Sequence, residues 1–363
     1  MSEPTTLLDR IQSTRDAIAG ADSHFLVAAA DRQASLTKPP GSLGRLEAVS
    51  IRIAAIAGSL APALTKKRIF VVAGDHGITA EGVSAYPSAV THQMVLNFLA
   101  GGAAINVLAR HGNIEVQVVD AGVDHDFNNI PGLTNRKIVR GTRNFAIGPA
   151  MTREQAEQSI VTGIELATAS KFDGVHLIGI GEMGIGNTTS ASAITMALTR
   201  RPVRDVTGTG TGIDAEALER KVAAIERGLA INKPIHTEPI DILSKVGGAE
   251  IGVMMGIVLG CAAHRIPLVA DGFISTAAAA LAVAMQPIVR DYVFIAHRSK
   301  EAGHQALIDY IGMQPLLDLD MRLGEGTGAA LAMHVIDGAV KILCEMATFE
   351  SAGVSDKNSP VEA

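Results

Sequence analysis

The sequence predicts an α/β fold with a mainly parallel sheet flanked by helices. Short runs of β-branched and other apolar residues recur along the chain, and most of them end at a glycine or an Asp-Gly pair. Alanine-rich stretches with helical spacing separate these runs. Strand, glycine turn and helix in repeated order are typical of a parallel sheet. The length of 363 residues and a hydrophobic content of 47% allow a large core.

The predicted strands and helices alternate through the middle of the chain. The strands are residues 68–73, 116–120, 174–179, 267–270 and 292–296. The helices are residues 89–111, 152–170, 188–199, 214–231, 248–264 and 275–286. In open parallel sheets, ligands bind at the carboxyl ends of the strands. The polar residues that follow these strands are therefore the candidates for a functional site.

Both ends of the chain are predicted to be helical. Residues 5–60 carry apolar side chains at helical spacing on both sides of a Pro-Pro-Gly turn, and residues 329–349 form one further predicted helix. We expect residues 1–60 and 329–363 to form a small helical domain. Residues 61–328 would then form the large α/β domain.

Composition argues against several classes of partner. Aromatic residues make up 3% of the chain and the formal net charge is -6, so we expect no nucleic-acid partner. Cys261 and Cys344 are expected to be buried apolar residues, because no disulfide framework or zinc spacing is present. The amino terminus lacks signal-peptide features, and the apolar runs 251–263 and 273–285 are shorter than the ~18 residues of a membrane span. We expect a soluble, cytoplasmic protein without a membrane partner.

The densest glycine cluster is Ile178-Gly-Ile-Gly-Glu-Met-Gly-Ile-Gly-Asn-Thr-Thr189, which follows a predicted strand and opens a helix. Glycines let the backbone approach an anion closely, and a helix amino terminus presents unpaired N–H groups. The hydroxyls of Thr188 and Thr189 can cap the helix or bind phosphate oxygens. The cluster therefore predicts a phosphate-binding turn.

The same cluster leaves a dinucleotide site as an alternative. Gly179, Gly181 and Gly184 match a dinucleotide-binding fingerprint, and Asp205 follows about 20 residues later. This would suit a nicotinamide-dependent oxidoreductase. The charged Glu182 inside the fingerprint and its position in mid-chain argue against that function.

A second glycine cluster is Val206-Thr-Gly-Thr-Gly-Thr-Gly-Ile-Asp214. Alternating threonine and glycine offers hydroxyls and exposed amides together, and Asp214 is placed to cap the next helix. Lys221 lies two turns into that helix, where it could reach an anion. From spacing alone, a solvated surface lysine is the better interpretation of Lys221.

Two further clusters carry ionisable groups. Asp75-His76 follows a strand in residues 74–87; a metal site there would need two more ligands, and none is obvious, so we expect a hydrogen-bonded pair that shapes the loop. Glu325 stands between two glycines in Met321-Arg-Leu-Gly-Glu-Gly-Thr-Gly-Ala329. It could complement a helix dipole or act as a general base, and spacing does not decide between them.

Taken together, these segments resemble the nicotinate-nucleotide:5,6-dimethylbenzimidazole phosphoribosyltransferase family. The resemblance runs from about residue 36 to residue 354 and rests on the order and number of its segments. Lys300 departs from it, since a small residue is expected there. The main segments are Lys38-Pro-Pro-Gly-Ser-Leu-Gly-Arg-Leu-Glu47, Gly74-Asp-His-Gly77, Glu81-Gly-Val-Ser-Ala-Tyr-Pro87, Gly181-Glu-Met-Gly-Ile-Gly-Asn-Thr-Thr189, Gly208-Thr-Gly-Thr-Gly212, Gly247-Gly-Ala-Glu-Ile-Gly252, His297-Arg-Ser299 and Arg322-Leu-Gly-Glu-Gly-Thr-Gly328.

The resemblance implies a reaction and an architecture. The phosphoribosyl group of nicotinate mononucleotide would pass to 5,6-dimethylbenzimidazole, giving α-ribazole 5'-phosphate and nicotinate for the nucleotide loop of cobalamin. A β donor and an α product imply a single displacement with inversion at C1'. The resemblance also implies a Rossmann-like sheet with a small helical domain, and a homodimer that works without a metal or other cofactor.

The resemblance further implies roles for individual residues. Glu325 would be the catalytic base and Glu182 a second functional acid near the ribose or the leaving group. The donor's phosphate and ribose would contact Gly184, Gly186, Asn187, Thr188, Thr189, Gly208, Thr209, Lys221, Asp271 and Ser299. The acceptor base would contact Ser84, Tyr86, Gln93, Met183 and Leu323. A non-catalytic nucleotide sensor with the same pocket is the remaining alternative.

Overall fold

The computed structural model describes residues 6–210 and 212–355. The outer ends of the predicted helical domain, residues 1–5 and 356–363, lie outside the described residues. So does Thr211 of the second glycine cluster.

The core of the fold is a six-stranded parallel sheet, which confirms the predicted fold class. The strands are β1 (Lys67–Gly74), β2 (Glu115–Gly122), β3 (Leu133–Asn135), β4 (Leu177–Met183), β5 (Leu268–Ala270) and β6 (Val293–Ile295). Their order is β3-β2-β1-β4-β5-β6, and every neighbouring pair is parallel. The order in which the chain adds strands reverses between β1 and β4, where such sheets open a crevice for ligands.

Helices cover both faces of the sheet. They are α1 (Leu7–Asp16), α2 (Ser23–Ser35), α3 (Arg45–Ala57), α4 (Ala89–Leu99), α5 (Ala104–Gly112), α6 (Arg153–Phe172), α7 (Asn187–Thr199), α8 (Ala215–Asn232), α9 (Pro239–Val246), α10 (Ala249–Ala263), α11 (Phe273–Met285), α12 (His304–Ile311), α13 (Thr327–Glu345) and α14 (Phe349–Ala352). The apolar α10 and α11 are buried along almost their whole length, as their uniform hydrophobicity requires.

The sequence-based elements differ from the structure in several places. The helix predicted for residues 89–111 is two helices, α4 and α5, because Gly101 adopts a left-handed φ of 77° between them. The Asn106 side chain then accepts a hydrogen bond from the Ala103 amide at the start of α5. The three-residue strand β3 and the short helices α9 and α12 were not predicted.

The structure brings the two ends of the chain together. Helices α2, α3 and α13 pack on one another around a small buried cluster of Ala29, Ala54 and Leu343. Arg32 of α2 donates from Nε to the carbonyl of Leu343 at 2.9 Å. However, Ile53 of α3 belongs to the same large core as the sheet. The division into two domains stays a prediction.

Among the described residues, two segments are long and apolar enough to cross a membrane by length and composition alone, Ala89–Gly112 and Thr327–Glu345. The first is interrupted at Gly101. The second, α13, packs against α3, α5 and the sheet with more than half of its residues buried. Both are accounted for as helices of this fold.

Candidate active site

A cavity of about 480 Å³ opens at the carboxyl ends of β4 and β5. Ten of the residues predicted from the sequence line it together, although they come from segments far apart in the chain. They are Tyr86, Glu182, Met183, Gly184, Asn187, Thr188, Asp271, Ser299, Leu323 and Glu325. The strand order explains the convergence, since β4 lies between β1 and β5 in the sheet.

One end of the cavity is formed by the turn between β4 and α7. Gly184 cannot carry a side chain, because a Cβ there would overlap the carbonyl oxygen of Gly74. Gly186 adopts a left-handed φ of 95° and starts α7, whose amino terminus has no side-chain cap. In the first turn the amides of Asn187 and Thr189 donate to the carbonyls of Gly184 and Gly186. The amide of Thr188 and the positive end of the helix dipole therefore favour a bound anion here. Thr189 is buried behind this turn, and no partner of its hydroxyl is found among the described residues.

Lys221 lies beside this turn and is fully buried, so the surface-lysine interpretation is wrong. Its Nζ donates to Oγ1 of Thr188 at 2.9 Å and to the carbonyl of Gly208 at 3.1 Å. Burial lowers the pKa of Lys221 to about 8, and the nearby Glu301 opposes that shift. Within the described residues, no carboxylate lies within 4 Å of this ammonium group. A buried cation without a directly paired carboxylate suits a phosphate.

The remaining donor residues of the second glycine cluster flank Lys221. Gly208 is half-buried and Thr209 is exposed, and neither lines the cavity. Gly210, which was not predicted individually, does line it. The cluster thus reaches the cavity through a neighbouring glycine. Lys221, bound by the Gly208 carbonyl, does not line the cavity itself but contacts Thr188, which does.

Glu325 occupies a strained turn at the other end of the cavity. Its φ is 64°, between Gly324 at 85° and Gly326 at 89°. A left-handed backbone is unfavourable for a glutamate, by about 1–3 kcal/mol, and such strain persists where the surroundings enforce it. Here Gly181 of β4 provides the space, because a Cβ on it would overlap the backbone of Glu325 and Gly326.

Asp271 holds the same turn in place through two hydrogen bonds. Its Oδ2 accepts from the amide of Gly326 at 3.1 Å, and its Oδ1 accepts from the amide of Ala329 at 3.0 Å. A buried carboxylate thus caps the amino terminus of α13, where the helix dipole favours a negative charge. His297 Nε2 lies 3.9 Å from Oδ1 of Asp271.

Three of the buried carboxyl groups that line this cavity, Glu182, Asp271 and Glu325, have raised pKa values. Burial raises the pKa of Glu182 to about 8, and the charges of Asp271, Glu250 and Glu325 add to the shift. Asn187 donates a hydrogen bond to Oε2 of Glu182, and this bond opposes the rise in pKa. Burial also raises the pKa of Asp271. It is the main cause of the raised pKa of Glu325, to which the charge of Asp271 adds. Perturbed acids that converge in a cleft are typical of a catalytic site.

The mouth of the cavity near Glu325 is apolar. Val90 and Met94 of α4, one helical turn apart, line it with Tyr86, Met183 and Leu323. Gln93 of the same helix is exposed and does not line it. Ser84 is half-buried and its Oγ accepts from the Tyr86 amide at 3.3 Å, so it shapes the loop next to the cavity.

Asp75 and His76 do not bond to each other. Asp75 accepts from the amide of Asp124 at 2.8 Å, whereas His76 contacts Glu250 at 2.5 Å and Ser190 at 3.0 Å. Both therefore shape the loop, but through separate partners. Within residues 6–210 and 212–355, no group of three or more His, Cys, Asp or Glu residues could hold a metal ion.

The glycines of the dinucleotide fingerprint are engaged by the protein itself. A side chain on Gly179 would meet Ile69 and Met333, and one on Gly181 would meet the turn at Glu325. Their missing side chains make room for α13 and its preceding turn. This explains the glycine pattern without a pyrophosphate.

Several cavity residues were missed by sequence reasoning. His297, Glu301 and Arg322 all lie in segments that carried the resemblance or adjoin them, and all follow a strand end or precede a helix. Their position next to a strand end or a helix start was the sequence feature that could have identified them as site residues. Glu250 also lies in a segment of the resemblance, in the first turn of α10, but it was given no role; it does not line the cavity and acts on Glu182 through space.

Comparison with known proteins identifies the relatives of this chain. A family profile described as phosphoribosyltransferase (DBI_PRT) matches residues 18–354. The nicotinate-nucleotide–dimethylbenzimidazole phosphoribosyltransferase of Geobacter sulfurreducens is 58% identical over 339 residues, 93% of this chain and 96% of that protein. The protein of the same name from Chloroflexus aggregans is 54% identical over 347 residues, 96% of this chain and 98% of that protein. The crystal structure of the Thermus thermophilus protein of this name matches with a TM-score of 0.88 at 47% identity, covering 92% of this chain and 99% of that one.

Proposed function

Because this chain belongs to the family of nicotinate-nucleotide–dimethylbenzimidazole phosphoribosyltransferases, we propose that it transfers the phosphoribosyl group of nicotinate mononucleotide to 5,6-dimethylbenzimidazole. The products are α-ribazole 5'-phosphate and nicotinate, and the reaction serves cobalamin synthesis. The observation that carries the proposal is a cavity with an anion site at one end and a strained, buried glutamate beside an apolar mouth at the other.

The anion end receives the donor's phosphate. Lys221 supplies a buried positive charge, and the uncapped start of α7 supplies the amide of Thr188 and the positive end of the helix dipole. Ser299 lines the same cavity. These groups hold the phosphate without a metal ion.

The apolar end receives the acceptor. A dimethylated bicyclic base requires an apolar slot with few polar groups, as Tyr86, Met94 and Leu323 provide. Its ring N–H proton must leave as the other nitrogen attacks C1'. Glu325 is the base that takes this proton, since its Oε2 has no partner among the described residues and its raised pKa strengthens it as a base.

The displacement proceeds in one step with inversion at C1'. The pyridinium of the donor is already a good leaving group, so its departure needs little acid catalysis. At neutral pH, Glu182 keeps its proton because its pKa is about 8. We place it beside the ribose or the departing nicotinate, where a neutral carboxyl donates a hydrogen bond without repelling the anionic donor. The enzyme is proposed to act as a cytoplasmic homodimer.

The test is direct turnover. Purified protein is mixed with nicotinate mononucleotide and 5,6-dimethylbenzimidazole without added metal, and the products are separated by chromatography. Nicotinate and α-ribazole 5'-phosphate in equal amounts, dependent on both substrates, are expected. Donor binding by folded protein without any product would instead support a sensor.

A further inference from the structure

Glu301 is a buried carboxylate that the proposed reaction leaves without a role. It lies between Ser299 and the start of α12, is 8% exposed and lines the cavity. Neither of its carboxylate oxygens forms a hydrogen bond or ion pair in the part of the chain that the structure describes, and Oε2 is fully buried. An ionised group buried without partners is costly unless a ligand completes it.

The position of Glu301 relates it to the anion site. A side chain on Gly208 would collide with Oε2 of Glu301, so the carboxylate lies directly against this glycine. The carbonyl of Gly208 accepts from Nζ of Lys221 at 3.1 Å. Glu301 is therefore a neighbour of the phosphate end, yet it lies more than 4 Å from the ammonium group and is not its ion-pair partner.

A carboxylate next to a phosphate site does not bind the phosphate, because two negative charges repel each other. It accepts hydrogen bonds only, and therefore requires a donor group on the ligand. In a ribose phosphate, the groups closest to the phosphate that can donate are the sugar hydroxyls.

Asp271, the residue predicted from the sequence for the ribose, already has donors within the protein. Both of its oxygens accept from backbone amides at the start of α13. Glu301 is the carboxylate at the phosphate end of the cavity that has no such partners among the described residues.

We propose that Glu301 accepts hydrogen bonds from the ribose hydroxyls of the phosphoribosyl donor and thereby selects ribose over deoxyribose. The inference rests on the proposed function, since it names the donor's sugar contact in the same cavity. A site built to bond a hydroxyl rejects the analogue that lacks it, because the buried acceptor is then left unpaired.

The experiment compares donor binding in the absence of acceptor, by titration calorimetry. The ligands are nicotinate mononucleotide and its 2'-deoxy and 3'-deoxy analogues. The wild-type protein is expected to bind at least one deoxy analogue about tenfold or more weakly. Glu301→Ala should bind that analogue and the parent donor with nearly equal dissociation constants. Glu301→Gln, which keeps an acceptor oxygen of the same shape, should retain part of the preference.

Two controls separate the explanations. Asp309→Asn changes a surface acid of α12 that pairs with Arg201, and it should leave the preference unchanged. Product formation by the wild-type protein tests the proposed function independently. If Glu301 only balances the charge of Lys221, both Glu301 variants will change the affinities of all three ligands by the same factor. That result, or a wild-type protein indifferent to both hydroxyls, overturns the inference.

Discussion

Asp271 accepts a hydrogen bond from the amide of Gly326 at 3.1 Å, and so holds the residue that directly follows the proposed base. The second oxygen of Asp271 accepts from Ala329 in the first turn of α13. The end of β5 is thereby joined to the strained turn that carries Glu325. The position of the base depends on a residue from a distant part of the chain.

We expect Asp271→Asn to disturb both stability and catalysis. An amide in place of the carboxylate would turn an N–H group toward one of the two backbone donors and leave that donor unpaired. The free energy of unfolding should fall by about 1–3 kcal/mol, and kcat should fall because Glu325 is no longer held. Urea unfolding and steady-state kinetics measure the two effects.

Asp22→Asn is the matched control for Asp271→Asn. Asp22 caps α2 by accepting from the amide of His24 at 2.9 Å, and asparagine is an equally good cap. Its stability and kcat should both stay near the wild-type values. Equal kcat in Asp271→Asn and the wild-type protein would refute the link between Asp271 and the base.

Glu325→Gln tests the base itself. The amide cannot take a proton, so kcat should fall by roughly 10²–10⁴ while the donor's dissociation constant changes little. Since a base acts in its ionised form and burial raises the pKa of Glu325, the wild-type kcat should rise with pH through a value above 4.5. This acid limb should be absent from the residual activity of the variant. If the variant keeps the same acid limb, the titration belongs to a group other than Glu325.

Glu182 makes stability depend on pH. In the folded protein its pKa is about 8, against 4.5 for the unconstrained side chain, so the folded state keeps a proton that the unfolded state loses between these values. The free energy of unfolding should therefore fall as pH rises from 4.5 to 8, by an amount on the order of a few kcal/mol.

Glu182→Gln removes this titration and should flatten the dependence. Urea unfolding at about pH 5 and about pH 8 gives the comparison, with Glu216→Gln, an exposed surface glutamate of α8, as the control. The difference between the two pH values should shrink only in Glu182→Gln. A difference of the same size in both variants would contradict the raised pKa.

The sequence predicts much of this site because chemistry concentrates where strands end. Glu182 and Asp271 each end or follow a strand, and Glu325 precedes a helix between glycines, so a parallel sheet brings them to one edge. Their partners are harder to predict. That Asp271 caps α13 is a contact between distant segments, and no local pattern encodes it.

Burial is the other property that spacing did not reveal. Lys221 lies on an amphipathic helix with charged neighbours, and nothing local distinguishes it from an exposed lysine. Strand β3 was missed because three residues are too few for a pattern. The break after α4 was missed because the apolar residues continue across Gly101 and hide the change of direction.

Lys221→Met tests the anion site. We expect the affinity gap between nicotinate mononucleotide and nicotinate riboside, which lacks the phosphate, to shrink by about tenfold or more in this variant. In the wild-type protein the gap should also narrow as pH rises through about 8, where Lys221 loses its charge. Titration calorimetry about one pH unit below and above that value measures it. Lys171→Met, on the surface of α6, should behave as wild type.

Gly181→Ala tests whether the close approach of β4 positions the base. A Cβ at Gly181 would lie well inside van der Waals distance of the backbone of Glu325 and Gly326, and backbone cannot rotate away as a side chain can. The turn must therefore move or the strand must shift, at a cost of about 1–3 kcal/mol. Because Glu325 moves with the turn, kcat should fall by an order of magnitude or more, whereas donor binding at Lys221 should be little changed.

Gly338→Ala is the matched control, because it adds the same methyl group to the helix that follows the turn. Gly338 is exposed in α13, and a Cβ there would meet nothing within 4 Å. Alanine in place of an exposed helical glycine should stabilise the protein by about 1 kcal/mol. Its kcat should not change. A Gly181→Ala protein that is destabilised yet fully active would show that catalysis tolerates displacement of the turn, and would remove Glu325 from its proposed role as a rigidly held base.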